Sequence, residues 1–213
     1  MNVFILSTGR CGSTTLVQAC KFIKNYTVAH ESRSEFIGEQ RFNYPKNHIE
    51  VDNRLSWFLG RLEKTYGDRA IYVHLKRDRY KVAQSFLKRW NFNSGIINAY
   101  RKGIILSTDQ GIPEYVDPMM VCLDYCQTVN RNIEFFLKDK SKSIDFDIDN
   151  AKEDFHKFWN LIHANGDLEG AISCFDKTYN SDVTKTPMPK GTKKVMNKAV
   201  RIVKKIPYFV KNA

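Results

Sequence analysis

The sequence predicts an α/β domain of three layers, a parallel sheet flanked by helices. Three observations lead there. Short continuous apolar runs, Val3-Phe4-Ile5-Leu6 and Ala70-Ile71-Tyr72-Val73-His74-Leu75, have the length and character of strands covered on both faces. Segments with apolar residues at helical spacing follow such runs. Strand-like and helix-like segments then alternate along the chain, the order that builds a parallel sheet with helices packed on it.

Each element has its own warrant. Residues 3–6 form the first strand: no basic segment precedes them, and Ser7-Thr8-Gly9-Arg10 ends the run too early for a signal peptide. Leu16, Val17, Cys20 and Ile23 give residues 14–24 a helical face. Residues 26–29 suit a second strand, and His48-Ile49-Glu50-Val51-Asp52 alternates with period two, which suits a third. Leu55, Phe58, Leu59 and Leu62 predict a helix over 55–66, stopped at Gly67-Asp68. The strand at 70–75 leads into Lys76-Arg77-Asp78-Arg79 and a helix over 80–89. A long helix over 117–138, a strand over 144–148 and a helix over 155–162 complete the pattern.

The 213 residues, 42% hydrophobic and 13% aromatic, suffice for one core and are too few for two catalytic domains with linkers. One domain over 1–184 is expected, with an appendage at 185–213. That appendage holds nine basic residues and no acidic one, leaving 25 basic against 23 acidic residues in the rest of the chain. It reads as an amphipathic basic helix through Val195, Ala199, Ile202, Val203 and Ile206, either solvated or touching an anionic surface. No apolar stretch approaches the ~18 to 20 residues a membrane span needs. Five cysteines, an odd number without a C-x-x-C pair or a zinc-spaced His cluster, point to a reducing compartment and no structural metal, and with no apolar span in the sequence a cytoplasmic setting is expected.

In an open parallel sheet, ligands gather where strands end and loops feed helix N-termini. Gly9-Arg10-Cys11-Gly12-Ser13-Thr14-Thr15 stands at that place after the first strand. Its glycines let backbone N–H groups turn inward, its hydroxyls add donors, and Arg10 adds a permanent forked cation. The reading is an oxyanion cradle; the alternative is a turn of small residues that only caps a helix. A triphosphatase loop would read G-x-x-x-x-G-K-[ST], and the lysine is missing here. At the next strand-to-helix junction Arg77 and Ser85 suggest a second phosphate site, against the alternative of a basic helix start facing solvent.

With these motifs the sequence resembles the sulfotransferases that use 3′-phosphoadenosine 5′-phosphosulfate (PAPS). Arg10-Cys11-Gly12-Ser13-Thr14 with Leu16 is similar to their 5′-phosphosulfate loop, in the arginine form of carbohydrate sulfotransferases. Arg77, Asp78, Val82 and Ser85 fall in register with their 3′-phosphate element, R-[DN]-P-[RK]-x-V-x-x-S. The resemblance covers about the first 90 residues. Cys11 departs from the usual Ser or Gly, Arg79-Tyr80 replace a Pro-Arg or Pro-Lys pair, and Thr15 stands where cytosolic members often carry the Trp that stacks on adenine. Lys190-Gly191 resembles a fragment of their nucleotide-closing segment.

The resemblance implies a P-loop NTPase-like fold and transfer of a sulfuryl group to a hydroxyl or amine of a small-molecule or glycan acceptor, with adenosine 3′,5′-bisphosphate leaving and no metal. Arg10, Cys11, Gly12, Ser13, Thr14, Thr15, Arg77 and Ser85 would hold the donor, and Arg10 would face the charge that builds on the bridging oxygen. Glu31, in the position of a glutamate of carbohydrate sulfotransferases, is the first candidate for the base, with neighbouring His30 and Asp52 as alternatives. Each could instead be a surface acid or helix cap, and Asp52 and Asn53 suit N-caps. Trp90, Phe92, Tyr100 and Tyr115 would line an acceptor pocket or pack a core. Two other readings stand beside this one: a small P-loop nucleotide or metabolite kinase, and a non-enzymatic nucleic-acid or membrane-surface module led by the tail. No base-reading motif is present, so no nucleic-acid partner is expected.

Overall fold

The computed structural model describes residues 1–105 and 117–177. They fall into two compact units, one comprising residues 1–82 with 126–177 and the other residues 83–105 with 117–125. The basic tail at 185–213, its expected helix, Lys190-Gly191 and Tyr115 lie outside the described residues.

The first unit holds a five-stranded sheet of β1 (Asn2–Leu6), β2 (Thr27–His30), β3 (His48–Val51), β4 (Ala70–Lys76) and β5 (Ser143–Asp147). Its order is β2-β3-β1-β4-β5, and every neighbouring pair is parallel. The expected α/β architecture, a parallel sheet flanked by helices, is the one found. Successive strand residues point to opposite faces. All of β1 is buried, as are the first six residues of β4, so both faces of the sheet centre are covered. Ile5 pairs with Val51 on one side and Val73 on the other. This register delivers the loops after β1, β3 and β4 to one edge, where the strand order branches away from β1 in both directions.

Helices α1 (Ser13–Cys20), α2 (Leu59–Thr65), α3 (Arg79–Leu87), α4 (Ile96–Ala99), α5 (Pro118–Leu137), α6 (Ala151–Leu161) and α7 (Leu168–Ser173) connect and follow the strands. α1 buries Leu16, Val17, Ala19 and Cys20 and stops short of residue 24, because Ile23 leaves the helix to bridge Gly166. The helix expected over 55–66 is divided. Asp52 caps a 3₁₀ turn at Asn53–Trp57 by accepting from the Arg54 N–H, and Phe58, with φ −124°, breaks the run before α2. Asp78 accepts from the Lys81 N–H at 2.8 Å and so starts α3 as its cap. α4 and α7, too short to leave a periodic trace, were not expected from the sequence.

In the second unit the aromatics mainly pack. Tyr125 meets Phe86 and Tyr100 edge-on at 5.1 and 5.3 Å between ring centres, and the Tyr100 hydroxyl donates to Asp124 at 2.5 Å. Trp90 is buried with the Arg101 guanidinium 4.5 Å from its ring, whereas Phe92 is exposed. Trp90 and Tyr100 therefore take the core-packing alternative. Among the described residues no helix is long and apolar enough to cross a membrane.

Candidate functional site

The loop after β1 turns on three left-handed residues, Gly9 (φ 81°), Arg10 (φ 61°) and Gly12 (φ 83°). Such turns direct successive backbone N–H groups into one concavity, which attracts an anion. Gly12 has a further constraint: a Cβ there would lie 2.5 Å from Ile148 Cγ1. It also occupies the N-cap of α1 without any side-chain cap, and the first turn holds no acidic residue to offset the positive helix end. Beneath the rim the loop is knitted together. The Gly9 N–H donates to Ser7 Oγ at 3.1 Å, and the Ser56 hydroxyl donates to the Ser7 carbonyl at 3.1 Å.

The Cys11 side chain lies beneath the loop. Its thiol is 2% exposed, tucked 3.0 Å from Thr8 Oγ1 and donating to the Gly9 carbonyl. Burial pushes it up to about 11, with the Thr8 hydrogen bond opposing, so it is an inert brace under the loop. Arg10, Gly12, Ser13, Thr14 and Thr15 remain half-exposed along the rim.

Arg77, at the end of β4, reaches the same loop: its Nη1 donates to the Arg10 carbonyl at 3.3 Å. Its Nε is buried with no hydrogen-bond partner among the described residues. A buried N–H of a permanent cation without an acceptor fits an anion brought to this place. Ser85 is half-buried on α3 and belongs to the second compact unit.

The three base candidates part company. His30, exposed at the end of β2, sits with Nε2 3.3 Å from Ser13 Oγ, directly over the cradle. Glu31 adopts a left-handed φ of 51° and pairs with Arg54 Nη1 at 2.6 Å. Asp52 does not present a carboxylate to any ligand. It is fully buried, one oxygen holding Arg41 Nη2 at 2.5 Å and the other the Arg54 N–H at 2.8 Å. Burial pushes its carboxyl up, and Arg41 and the Arg54 N–H offset only part of that. The helix-cap alternative describes Asp52, with an ion pair added.

No protein-family model and no curated protein matches the sequence. Among solved structures the chain is similar to the sulfotransferase domain from the curacin biosynthetic pathway, with 13% identity over 93% of this chain and 96% of that one and a TM-score of 0.52. The likeness is one of fold. What the two chains share is an α/β fold, here a five-stranded parallel sheet flanked by helices.

Sequence reasoning missed Arg54, Glu50 and Ser32. Glu50 is fully buried on β3, accepting from the Ser32 N–H at 2.7 Å and hydroxyl at 2.6 Å, with His48 Nε2 2.9 Å away. Burial would raise its carboxyl, but the hydrogen bonds from His48 and Ser32 outweigh that and hold it below the ordinary value. A hint was present: three ionisable residues, His48, Glu50 and Asp52, alternate along one strand face. Among the described residues no three His, Cys, Asp or Glu side chains gather as a metal-binding group.

Proposed function

We propose that the protein is a sulfotransferase that takes the sulfuryl group of PAPS and transfers it to a hydroxyl or amine acceptor of a small molecule or glycan. The observation that carries this reading is the contact of Arg77 with the Arg10 carbonyl. Two motifs, separated by 67 positions, meet at one uncapped helix end. The fold likeness to a sulfotransferase domain supports it. A kinase reading has no loop lysine to reach a terminal phosphate.

Bound here, PAPS would supply an activated sulfuryl group and a bisphosphate leaving group. The N–H groups opening α1 and the Arg10 guanidinium hold the phosphosulfate and neutralise charge growing on its bridging oxygen. Arg77 fixes the loop through the Arg10 carbonyl and offers its free N–H to a phosphate oxygen. The proton of the acceptor goes to the turn after β2, where His30 touches the cradle and Glu31 stands beside it. His30 is the base in this reading, because its ring is in contact with Ser13, and Glu31 with Arg54 forms the adjoining wall. Five buried cysteines, held as thiols, support a cytoplasmic setting. The basic tail is assigned to an anionic surface on its charge alone.

Calorimetric titration with adenosine 3′,5′-bisphosphate against ADP tests the assignment. The wild type should prefer the 3′-phosphorylated nucleotide, and Arg77→Ala should weaken that binding by about tenfold or more, the loss of a charge-assisted contact. Equal affinity for both nucleotides in the wild type would overturn it.

A further inference from the structure

The turn after β2 is held from below by charge that an ordinary turn would not need. Glu50 is fully buried on β3, yet the residue it binds, Ser32, is exposed. Both Glu50 oxygens are spent on Ser32, one on its N–H and one on its hydroxyl, and His48 completes the shell. His48 in turn lies 2.8 Å from Thr27 Oγ1 and stacks on Tyr44 with ring centres 5.5 Å apart. Two residues further along the same face, Asp52 holds the Arg54 N–H. The carboxylates of Glu50 on β3 and of Asp52 just beyond it therefore grip the backbone on either side of the Glu31–Arg54 pair, Ser32 on one side and Arg54 on the other. Glu31 itself sits in a left-handed conformation that few non-glycine residues adopt, and its N–H extends the β2 ladder by donating to the Val51 carbonyl at 3.1 Å. Burying charge is costly, and a strained residue persists only where its surroundings over-determine it.

We propose that Glu50 is a positioning residue: by clamping Ser32 it fixes the turn 30–32 so that His30 stays over Ser13 and Glu31 stays on Arg54. The proposal rests on the sulfotransferase reading for its catalytic consequence, but the clamp itself is a property of the turn. Glu50 touches neither the cradle nor its ligand and acts through Ser32. Its effect falls on the transfer step, since the loop over residues 9–15 follows β1 and is reached by Arg77 from the end of β4 and, through Ser7, by Ser56, neither of which hydrogen-bonds Glu50 or Ser32 in the clamp.

The decisive variant is Ser32→Ala, which removes one arm of the clamp at an exposed position where folding is not at stake. Glu50→Gln is the companion, with thermal unfolding to show that it folds. Three readings are taken: adenosine 3′,5′-bisphosphate affinity by calorimetry, donor turnover with water as acceptor followed as release of that nucleotide, and ¹⁵N relaxation of the residue 30–32 amides. Ser32→Ala should lower kcat by about tenfold while donor KM and nucleotide affinity stay within about twofold. Ser32→Thr, which restores the hydroxyl, should recover most of the rate, and relaxation should show the turn mobile in the alanine variant alone. Unchanged kcat and a rigid turn in Ser32→Ala, in a wild type that binds the nucleotide, would overturn the clamp and leave the sulfotransferase reading intact. A wild type that fails to bind the nucleotide would overturn the function and the catalytic part of this proposal. The relaxation data would still decide whether Glu50 holds the turn.

Discussion

The sheet branches at β1 into two regions built on opposite principles. On the β4 side the loop over residues 9–15 is made of glycines, hydroxyls and backbone, with its only buried side chain, Cys11, held neutral. On the β3 side the face of the strand carries His48, Glu50 and Asp52, all buried, with Arg41 folded over them from the 3₁₀ turn Gly38–Phe42. In the proposed reading, the first region binds an anion because it has dipoles fixed in place, the Arg10 cation and no acidic residue in the first turn of α1. The second, in the same reading, carries charge so that groups at its rim stay where proton transfer needs them. Recognition of an anion asks for backbone freedom at particular residues; orientation of a base asks for buried hydrogen bonds.

The comparison breaks first at Arg41. Its guanidinium is 3% exposed and lies 2.5 Å from an Asp52 oxygen, with Phe58 beside it. Arg41→Ala strands a buried carboxylate, and unfolding in urea should show a loss of about 3–5 kcal/mol. Adding Asp52→Asn removes the stranded charge while keeping an oxygen for the Arg54 N–H, so the double variant should regain a large part. A single-variant loss under about 1 kcal/mol would mean that the charged face contributes no more than an exposed pair.

The loop region is tested by Gly12→Ala. The new methyl meets φ 83° and Ile148 together, a cost of about 1–3 kcal/mol. Nucleotide affinity should fall with it, because the displaced turn no longer aims its N–H groups inward. Ile148→Ala in the same chain relieves the clash but not the dihedral, so stability should return in part and affinity should not. Full recovery of both would assign the requirement for glycine to space alone.

What could be read in advance follows the same division. The turn at residues 9–12 was legible because a strand, a glycine turn and a helix are contiguous, and the strand end before Arg77 was legible because it closes an apolar run. The alternation of His48, Glu50 and Asp52 correctly gave a strand, while leaving open whether those acids lie on a surface. Whether such a face is wet or covered depends on the turn Gly38–Phe42, too short and irregular to announce itself by periodicity. The Ser32–Glu50 and Glu31–Arg54 contacts join residues 18 and 23 positions apart and exist only through the β2–β3 register, Ala29 opposite Glu50 and His30 opposite Val51. Asp52 looked like a catalytic candidate because its chemistry is right. Burial and Arg41, both tertiary, removed it from reach of a substrate.

The smallest effect separates the carboxylates of Glu50 and Asp52 from each other. Glu50 is held below its ordinary value of 4.5, so its charged form is favoured in the folded state, and the stability it gives is present above that value. As pH falls through the folded value that stability is lost. Asp52 is raised above 3.8, so its neutral form is favoured and acidification acts on it in the opposite sense. Urea unfolding of wild type and Glu50→Gln from about pH 7 down to about pH 3 isolates the first, because glutamine keeps the shape and cannot titrate. The wild type should be the more stable at neutral pH, with the gap closing below pH 4.5. Curves that stay parallel would show that Glu50 draws no stability from its charge, and with it would go the reason for burying a carboxylate beneath this turn.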